Sequence, residues 1–281
     1  MVINETERLL ELFRRTMRLC TEDAEIIEKI ERSKRDTDIG DFKDLVCSDI
    51  SSEKMTCLVT CHKTFGAAMK LKQMFPDDRV AALNFASPVQ PGGGAIFGYQ
   101  AQEEYLCRCS TLYSCLNTKE MWEKYYLANR FGSTRRYNDV CIFTPNVVVF
   151  RTDDSYMDFI PREEWAEIDM ITAAAPNLNS NDLTLFGVEG ADFELTEGEL
   201  FEIHKDRAKS ILNCACSKGV KHIVLGAFGC GAFANDPETV AQAYKEILPL
   251  YEHKLRTVIF AVYCSDENTY NFDVFNRILS E

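Results

Sequence analysis

The 281-residue sequence predicts an α/β fold in which a central sheet carries helices on both faces. Two observations predict it. Short apolar runs alternate with amphipathic runs along the chain, which is typical of strands joined by helices. Two glycine-rich loops also follow directly after apolar runs, at 80–85 and 222–227. Because ligands of open α/β sheets bind at the carboxyl ends of the strands, both loops are expected to form one site.

The composition indicates a globular protein in a reducing compartment. No apolar run approaches the roughly 20 residues that cross a bilayer, and the charged, helical N-terminus is not secretory. The 12 cysteines lie mostly in apolar segments, which favours reduced thiols. We therefore expect a cytoplasmic protein, or a nuclear one in a eukaryotic host, without membrane association. With four histidines and no C-x-x-C pair, neither a metal nor a cofactor is predicted.

The net charge of −13 excludes one class of function. General DNA or RNA binding depends on a basic surface, so we expect none. We expect a monomer.

The first 50 residues are predicted to be a helical extension packed on the core, and residues 51–281 the catalytic domain. Amphipathic helices are expected within 3–32, and a polar linker or irregular segment at 33–50.

The domain itself divides into alternating elements. The predicted strands are a first central strand at 55–62, then 79–85, a hairpin at 140–151 that turns at Pro145-Asn146, 168–175, 222–227 and 257–263. The predicted helices are 65–74, 102–116, 118–126, 196–217, 237–248 and 268–279. A mobile, locally basic loop is expected at 130–138, and a polar connection at 180–195.

The first glycine loop carries the clearest chemical signal. Gly92, Gly93 and Gly94 follow an apolar strand, and after a spacer of seven residues come three polar residues, Gln102, Glu103 and Glu104. Glycines let the backbone adopt positive φ and approach a ligand closely. A carboxylate beside such a loop can serve as a general acid or base. Separately, these features also suit an ordinary turn and a helix start.

Together they resemble a known signature. The G-G-G…Q-E-E spacing resembles that of poly(ADP-ribose) glycohydrolases, and N-F-A-S-x-x-x-P-G-G-G is similar to their bacterial-type branch. V-V-V-F-R near residue 150 and A-A-P-N near residue 176 are also similar, and the likeness covers most of 55–265. It implies a macrodomain-like fold, with a mixed central sheet between helices, that binds ADP-ribose.

The second loop, G-A-F-G-C-G-A-F at 226–233, lacks the Lys-Ser/Thr of a P-loop and the full dinucleotide fingerprint. It looks like the phosphate loop of macrodomains. The resemblance implies that backbone amides of four residues bind the diphosphate and that Phe233 packs on the distal ribose; the four are Gly229, Cys230, Gly231 and Ala232. The alternative is a tight turn with Phe233 in the core.

Four further residues are candidate substrate contacts. Asn84 and Ser87 end the strand before the first loop, and Ser87 stands where related macrodomains often place an Asn that contacts the distal ribose. Phe97 and Tyr99 lie within the loop, where they shape the site or stack on a ring, or belong to the core.

The resemblance implies a glycosidase that cleaves ribose–ribose O-glycosidic bonds, releases ADP-ribose and so reverses ADP-ribosylation. Glu104 would be the acid/base, Glu103 would hold ribose hydroxyls, and Gln102 would orient the pair. Adjacent helix positions diverge by about 100°, so the two carboxylates are not expected to flank one bond, and a single catalytic carboxylate is predicted.

Two alternatives stay open. One is a hydrolase that removes single ADP-ribose units from protein or nucleic acid, and the other is a non-catalytic ADP-ribose-binding macrodomain. The intact Q-E-E disfavours the second. The substrate is expected to be poly(ADP-ribose) or an ADP-ribosylated protein. The acidic surface favours cleavage from the chain end.

Overall fold

The computed structural model describes residues 4–50, 52–132, 136–179, 195–265 and 267–280. Its strands are β1 (Asp38–Asp41), β2 (Thr56–Thr60), β3 (Val80–Phe85), β4 (Val140–Val149), β5 (Ala166–Ala173), β6 (His222–Leu225) and β7 (Thr257–Ala261). They form one seven-stranded sheet in the order β1-β4-β5-β3-β6-β7-β2. The strands from β5 to β2 are parallel, whereas β4 and β1 are antiparallel to their neighbours.

Helices cover both faces of this sheet. They are α1 (Glu5–Glu22), α2 (Ala24–Asp36), α3 (Thr64–Met74), α4 (Gln102–Cys109), α5 (Leu112–Leu116), α6 (Lys119–Met121), which continues as a π-helical turn (Trp122–Tyr126), α7 (Leu127–Arg130), α8 (Glu197–Ser217), α9 (Pro237–Ile247) and α10 (Tyr270–Leu279). Alternate residues of β3 face opposite cores: Ala81 and Leu83 pack with α8, α9 and α10, while Val80 and Ala82 pack with α1, α3, α4 and α5. The predicted fold class is confirmed. None of the helices described is both long and apolar enough to cross a bilayer.

The predicted linker is wrong over its first part. Residues 33–36 complete α2, and the next residues form β1, whose register pairs Ile39 with Ile142 of β4. The polar composition concealed this strand, which forms because β4 offers it an open edge. The division of the chain near residue 50 stays a prediction.

The segment at 55–62 is a strand, but its predicted central position is wrong. Among the strands that the structure describes, β2 pairs with β7 alone and lies at the end of the sheet. Leu58, near its middle, is 48% exposed. Apolar content alone does not determine the order of strands in a sheet.

The predicted hairpin at 140–151 is also wrong. Strand β4 runs through Pro145-Asn146 and pairs with β5 on both sides of a bulge between Thr144 and Val147. Asn146 takes the left-handed conformation, at φ 55°, and donates its N–H to Asp169 Oδ1 at 3.0 Å. The Pro-Asn pair therefore makes a bulge, because the long partner strand holds both halves in one ladder.

The predicted helix at 102–116 breaks at Ser110 into α4 and α5. The Ser110 hydroxyl donates to the Leu106 carbonyl at 2.7 Å, and the residue bridges to Val149 of β4. The remaining predicted strands and helices are confirmed, with small shifts at their ends. Residues 133–135 of the predicted loop and 180–194 of the predicted connection lie outside the described residues.

Candidate active site

Both glycine loops border one cleft of about 1070 Å³ at the carboxyl ends of β3 and β6. The first loop and the start of α4 form one wall, and residues 227–229 and 231–233 form the opposite wall. The expectation that the two loops form one site is confirmed. The physical cause is that β3 and β6 are adjacent and parallel, so their following loops leave the same edge of the sheet.

Gln102 fixes the start of α4 against the end of β3. Its Oε1 accepts from Phe85 N–H at 2.8 Å, and its Nε2 donates to the Leu83 carbonyl at 2.7 Å and to Thr64 Oγ1 at 3.1 Å. Because its amide bonds to both an N–H and a carbonyl of β3, the side chain extends the strand's hydrogen bonding and fixes the position of the two glutamates that follow it on α4.

Glu103 is buried, at 2% exposure, beneath the first loop. Its Oε2 accepts from Ser87 N–H at 2.7 Å, and its Oε1 accepts from Asn84 Nδ2 at 3.1 Å and from Gly92 N–H at 3.2 Å. Burial, and secondly the neighbouring charge of Glu104, raise the pKa of Glu103 to about 8 against the lowering effect of these three bonds.

Glu104 is also buried, and it bonds to the opposite end of the same loop. Its Oε1 accepts from Gly94 N–H at 2.7 Å. Its Oε2 reaches back to the N–H of Ala101, the residue that caps α4, at 3.0 Å. The carboxylate thus satisfies a free helix N–H and holds the glycine loop at once.

The two carboxylates converge on Gly93. A Cβ on this residue would lie 3.0 Å from Glu103 Oε2 and would collide with Glu104 Oε1. Gly92 and Gly93 have positive φ, at 69° and 52°, so glycine is required for conformation as well as for space. The expected divergence is therefore wrong, because side-chain torsions bring both carboxyls to one loop. They reach it from the same helix turn.

The two predicted residues at the end of β3 have different places. Asn84 is fully buried under Glu103 and donates to it and to Thr172, so it does not border the cleft. Ser87 borders the cleft and holds Glu103 through its main-chain N–H.

Phe97 and Tyr99 lie at the outer rim of the first loop, with exposures of 51% and 41%. Their ring centroids are 6.2 Å apart. Tyr99 borders the cleft and packs over Gly94, where a Cβ would collide with its ring. Neither residue belongs to the core.

The second loop borders the cleft and has main-chain N–H groups that no acceptor in the described part of the chain uses. Within the described chain, the amides of Gly229, Gly231, Ala232 and Phe233 donate no hydrogen bond, whereas Cys230 N–H donates to the Ala227 carbonyl at 3.1 Å. A Cβ on Gly231 would meet nothing within 4 Å, so this residue faces open space. The Cys230 amide is already used within the turn of the loop, and its predicted contact with phosphate stays a prediction.

Comparison with known proteins agrees with this geometry. A sequence model of the catalytic domain of microbial-type poly(ADP-ribose) glycohydrolases matches residues 8–152. The chain belongs to this family. No curated protein is a significant match.

Solved glycohydrolase structures resemble most of the chain. One from Thermomonospora curvata has a TM-score of 0.80 and 26% identity over 96% of this chain and 98% of its own. The same enzyme bound to the inhibitor ADP-HPD gives a TM-score of 0.79, with 26% identity and the same coverage. One from Deinococcus radiodurans, in complex with ADP-ribose, has a TM-score of 0.75 and 31% identity over 89% of this chain and 96% of its own.

Sequence reasoning missed the residue pair that supports the second loop of this glycohydrolase-family site. Asn235 Nδ2 donates to the carbonyls of Pro176, Gly229 and Phe233 at 2.8, 3.1 and 3.2 Å. Its Oδ1 accepts from His204 Nε2 at 2.9 Å. Burial lowers the pKa of His204 to about 4, so the imidazole is neutral. The signal that could have found the pair is an Asn directly after a glycine loop, where its amide can bond to loop carbonyls.

Sequence reasoning also missed the far end of the glycohydrolase-family cleft. Asp153 accepts the Gly66 N–H at 2.9 Å, and burial raises its pKa. Lys63 lies 4.3 Å and 5.1 Å from the ring centroids of Tyr105 and Tyr263. These side chains come from separate segments of the chain, so no local motif marks them.

Proposed function

We propose that this chain hydrolyses the ribose–ribose O-glycosidic bonds of poly(ADP-ribose) and releases ADP-ribose. The observation that carries the proposal is the convergence of two buried carboxylates on Gly93, in a cleft whose other wall offers main-chain N–H donors. A member of this family is a glycosidase, and the D. radiodurans relative holds ADP-ribose.

The diphosphate lies along the second loop in this proposal. Unused N–H groups at Gly229, Gly231 and Ala232 suit an anion that approaches the backbone closely. Phe233, which borders the cleft and is partly buried, packs against the distal ribose. This arrangement binds one end of an anionic polymer and needs no basic groove. It is therefore compatible with a protein of net charge −13.

Glu104 is the acid/base. Its carboxyl gives a proton to the ribose oxygen of the departing polymer while the bond from the anomeric carbon breaks and an oxocarbenium ion forms. The carboxylate then takes a proton from the attacking water, whose oxygen bonds to the anomeric carbon, and the acid is restored. Glu103 holds the ribose hydroxyls.

The site can hold the proton that this chemistry needs. Burial and the adjacent Glu104 charge favour a neutral carboxyl at Glu103. With its pKa raised to about 8, Glu103 retains its proton near neutral pH. The anionic diphosphate of the substrate raises this proton affinity further.

The acidic protein binds the polymer terminus and cleaves from the chain end. We further propose that it acts as a monomer in the cytoplasm and does not bind DNA or RNA generally.

The test is incubation of protein-attached, labelled poly(ADP-ribose) with wild type, Glu104→Gln and the exposed-surface control Glu163→Gln, with products resolved by size. Free ADP-ribose from wild type and the control alone is the expected result. An amide at Glu104 would also turn an NH₂ group toward an N–H donor, so thermal unfolding of each variant is measured alongside.

Other outcomes separate the alternatives. Release of only the last, protein-linked unit would identify a mono-ADP-ribosyl hydrolase. Tight ADP-ribose binding by calorimetry without any release would identify a binding module. Long oligomers among the early products would contradict cleavage from the chain end.

A further inference from the structure

A buried arginine lies directly behind the glutamate pair. Arg108 is on α4, one helical turn after Glu104, and its exposure is 0%. Its guanidinium donates to main-chain carbonyls, from Nε to Leu9 at 3.3 Å and from Nη2 to Ala95 at 3.4 Å. Its Nη1 is buried without a hydrogen-bond partner among the described residues. A guanidinium in this position is costly unless its charge is compensated by more distant groups.

The two carbonyls belong to different parts of the molecule. Leu9 lies within α1, whereas Ala95 begins the short turn that follows the three glycines. Arg108 therefore joins the N-terminal helix to the catalytic loop. A second bond strengthens the junction, from Thr16 Oγ1 of α1 to the Arg108 carbonyl at 2.5 Å.

Helix α1 supports the loop at two further points. At Gly98, which has φ 81°, a Cβ would lie 2.7 Å from Thr6 Cγ2, so the loop and α1 are in close contact there. Phe13 packs edge-on against Tyr113 with 5.0 Å between centroids, and the Tyr113 ring lies under Gly92. The loop is thus held from behind by α1 at both of its ends.

The carboxylate that acts on Arg108 is that of Glu104. Burial lowers the pKa of Arg108, and the Glu104 carboxylate acts against burial by favouring the charged guanidinium. On α1, the pKa of Glu5 is lowered first by its hydrogen bond to Arg8 and, to a smaller extent, by the charge of Arg108. The titratable groups around the glutamate pair and Arg108 are Tyr105 and Cys107 on α4, Glu5 and Arg8 on α1, Tyr113 on α5, Tyr125 and Tyr126 in the π-helical turn and Tyr99 in the loop. Of the two arginines, Arg108 is buried and Arg8 is not.

We propose that Arg108 is a positioning residue of the hydrolytic site, which fastens α1 to the catalytic loop and keeps a permanent positive charge behind the glutamate pair. This inference rests on the proposed function. By holding the turn at Ala95, Arg108 keeps Gly94 N–H against Glu104. Its charge offsets the repulsion between the two glutamates and stabilises the carboxylate that remains after the proton is donated.

The test compares Arg108→Met and Arg108→Lys with Arg151→Met. Arg151 is a matched control because it is also a buried arginine, at 1% exposure. It donates to the Met157 carbonyl and stacks on Phe159, and not on the glutamate pair. Each variant is assayed for kcat and KM on poly(ADP-ribose) between pH 5 and 9, for ADP-ribose affinity by calorimetry, and for thermal unfolding.

Arg108→Met should lower kcat at least about tenfold and raise the pKa of the alkaline limb of the kcat profile, where the general acid loses its proton, by about one unit, because an opposite charge has been removed. The Kd for ADP-ribose should stay within about threefold of wild type, since the second loop is untouched. Arg108→Lys keeps the charge and loses one carbonyl contact. The pKa of the alkaline limb should therefore stay at its wild-type value, while kcat falls in part. If the pH profiles of kcat for Arg108→Met and Arg151→Met coincide, the proposal is overturned.

A carbon-13 NMR titration of the glutamate carboxyls, assigned with Glu103→Gln and Glu104→Gln, tests the same charge effect without turnover. The pair should titrate about one unit higher in Arg108→Met, and an unchanged titration would refute the role of the charge. If wild type releases no ADP-ribose while the titration shifts as expected, the proposed function fails and the electrostatic assignment stands. If Arg108→Met does not fold, Arg108→Lys is the test. A pKa of the glutamate pair that differs from wild type overturns the proposal, whereas an unchanged pKa together with a lower kcat supports it.

Discussion

The stability of this protein should depend on pH through one buried carboxyl. Glu103 has a raised pKa in the folded protein, so the folded chain binds its proton more tightly than the unfolded chain does. The contribution to the unfolding free energy is fully present below the unfolded pKa and is lost as pH rises through the folded one. Glu103→Gln removes this titration and should make the pH dependence shallower.

The expected magnitude follows from the two pKa values. With about 8 in the folded protein and 4.5 as the ordinary value, on the order of 3 kcal/mol of unfolding free energy should disappear between pH 5 and pH 8. At pH 5 the variant should be close to wild type, since both carry a neutral side chain there. Glu104→Gln should reduce the slope without abolishing it, because the Glu104 charge is the second cause of the shift after burial.

The assay is equilibrium urea unfolding of wild type, Glu103→Gln and the exposed control Glu163→Gln at several pH values, with reductant present for the 12 thiols. The control should follow wild type throughout. Parallel pH curves for wild type and Glu103→Gln would refute the reasoning, because they would mean that the three N–H and amide donors outweigh burial.

Three further predictions concern the loops. Gly93→Ala should lower the unfolding free energy by about 2 kcal/mol and kcat at least about tenfold, whereas Gly198→Ala, whose Cβ meets nothing within 4 Å, should do neither; urea unfolding and kinetics check both. Gly231→Val should leave the Tm nearly unchanged but weaken ADP-ribose binding at least about tenfold in calorimetry, since its side chain enters the space beside the N–H groups of the second loop. Unchanged affinity would place the diphosphate elsewhere. Asn235→Ala should cost about 2–4 kcal/mol in urea unfolding, because three carbonyls and His204 lose their partner; a smaller loss would mean that water replaces the amide.

The sequence predicted those features that depend on neighbouring residues. Strand β3 is a short apolar run bounded by polar residues, and α8 begins at the Thr196 cap, which accepts the Glu199 N–H at 3.2 Å. Both glycine loops and the Q-E-E triplet are local motifs, so the family and the cleft that both loops border could be predicted from the chain alone.

Other features were decided by contacts between distant segments. Pro145-Asn146 has the local chemistry of a turn, but β5 pairs across it and makes it a bulge. The polar residues of β1 form a strand only because β4 has an unpaired edge. In both cases hydrogen bonds to a remote strand outweigh the local preference.

The chemistry of the glutamate pair also depends on the tertiary structure. Adjacency in sequence places Glu103 and Glu104 in one helix turn, but only the folded loop brings both carboxyls to Gly93 and buries them. Likewise, nothing in the sequence connects Arg108 with α1. Motifs specify which groups are present, whereas burial and charge set their protonation, and these depend on every element that packs around them.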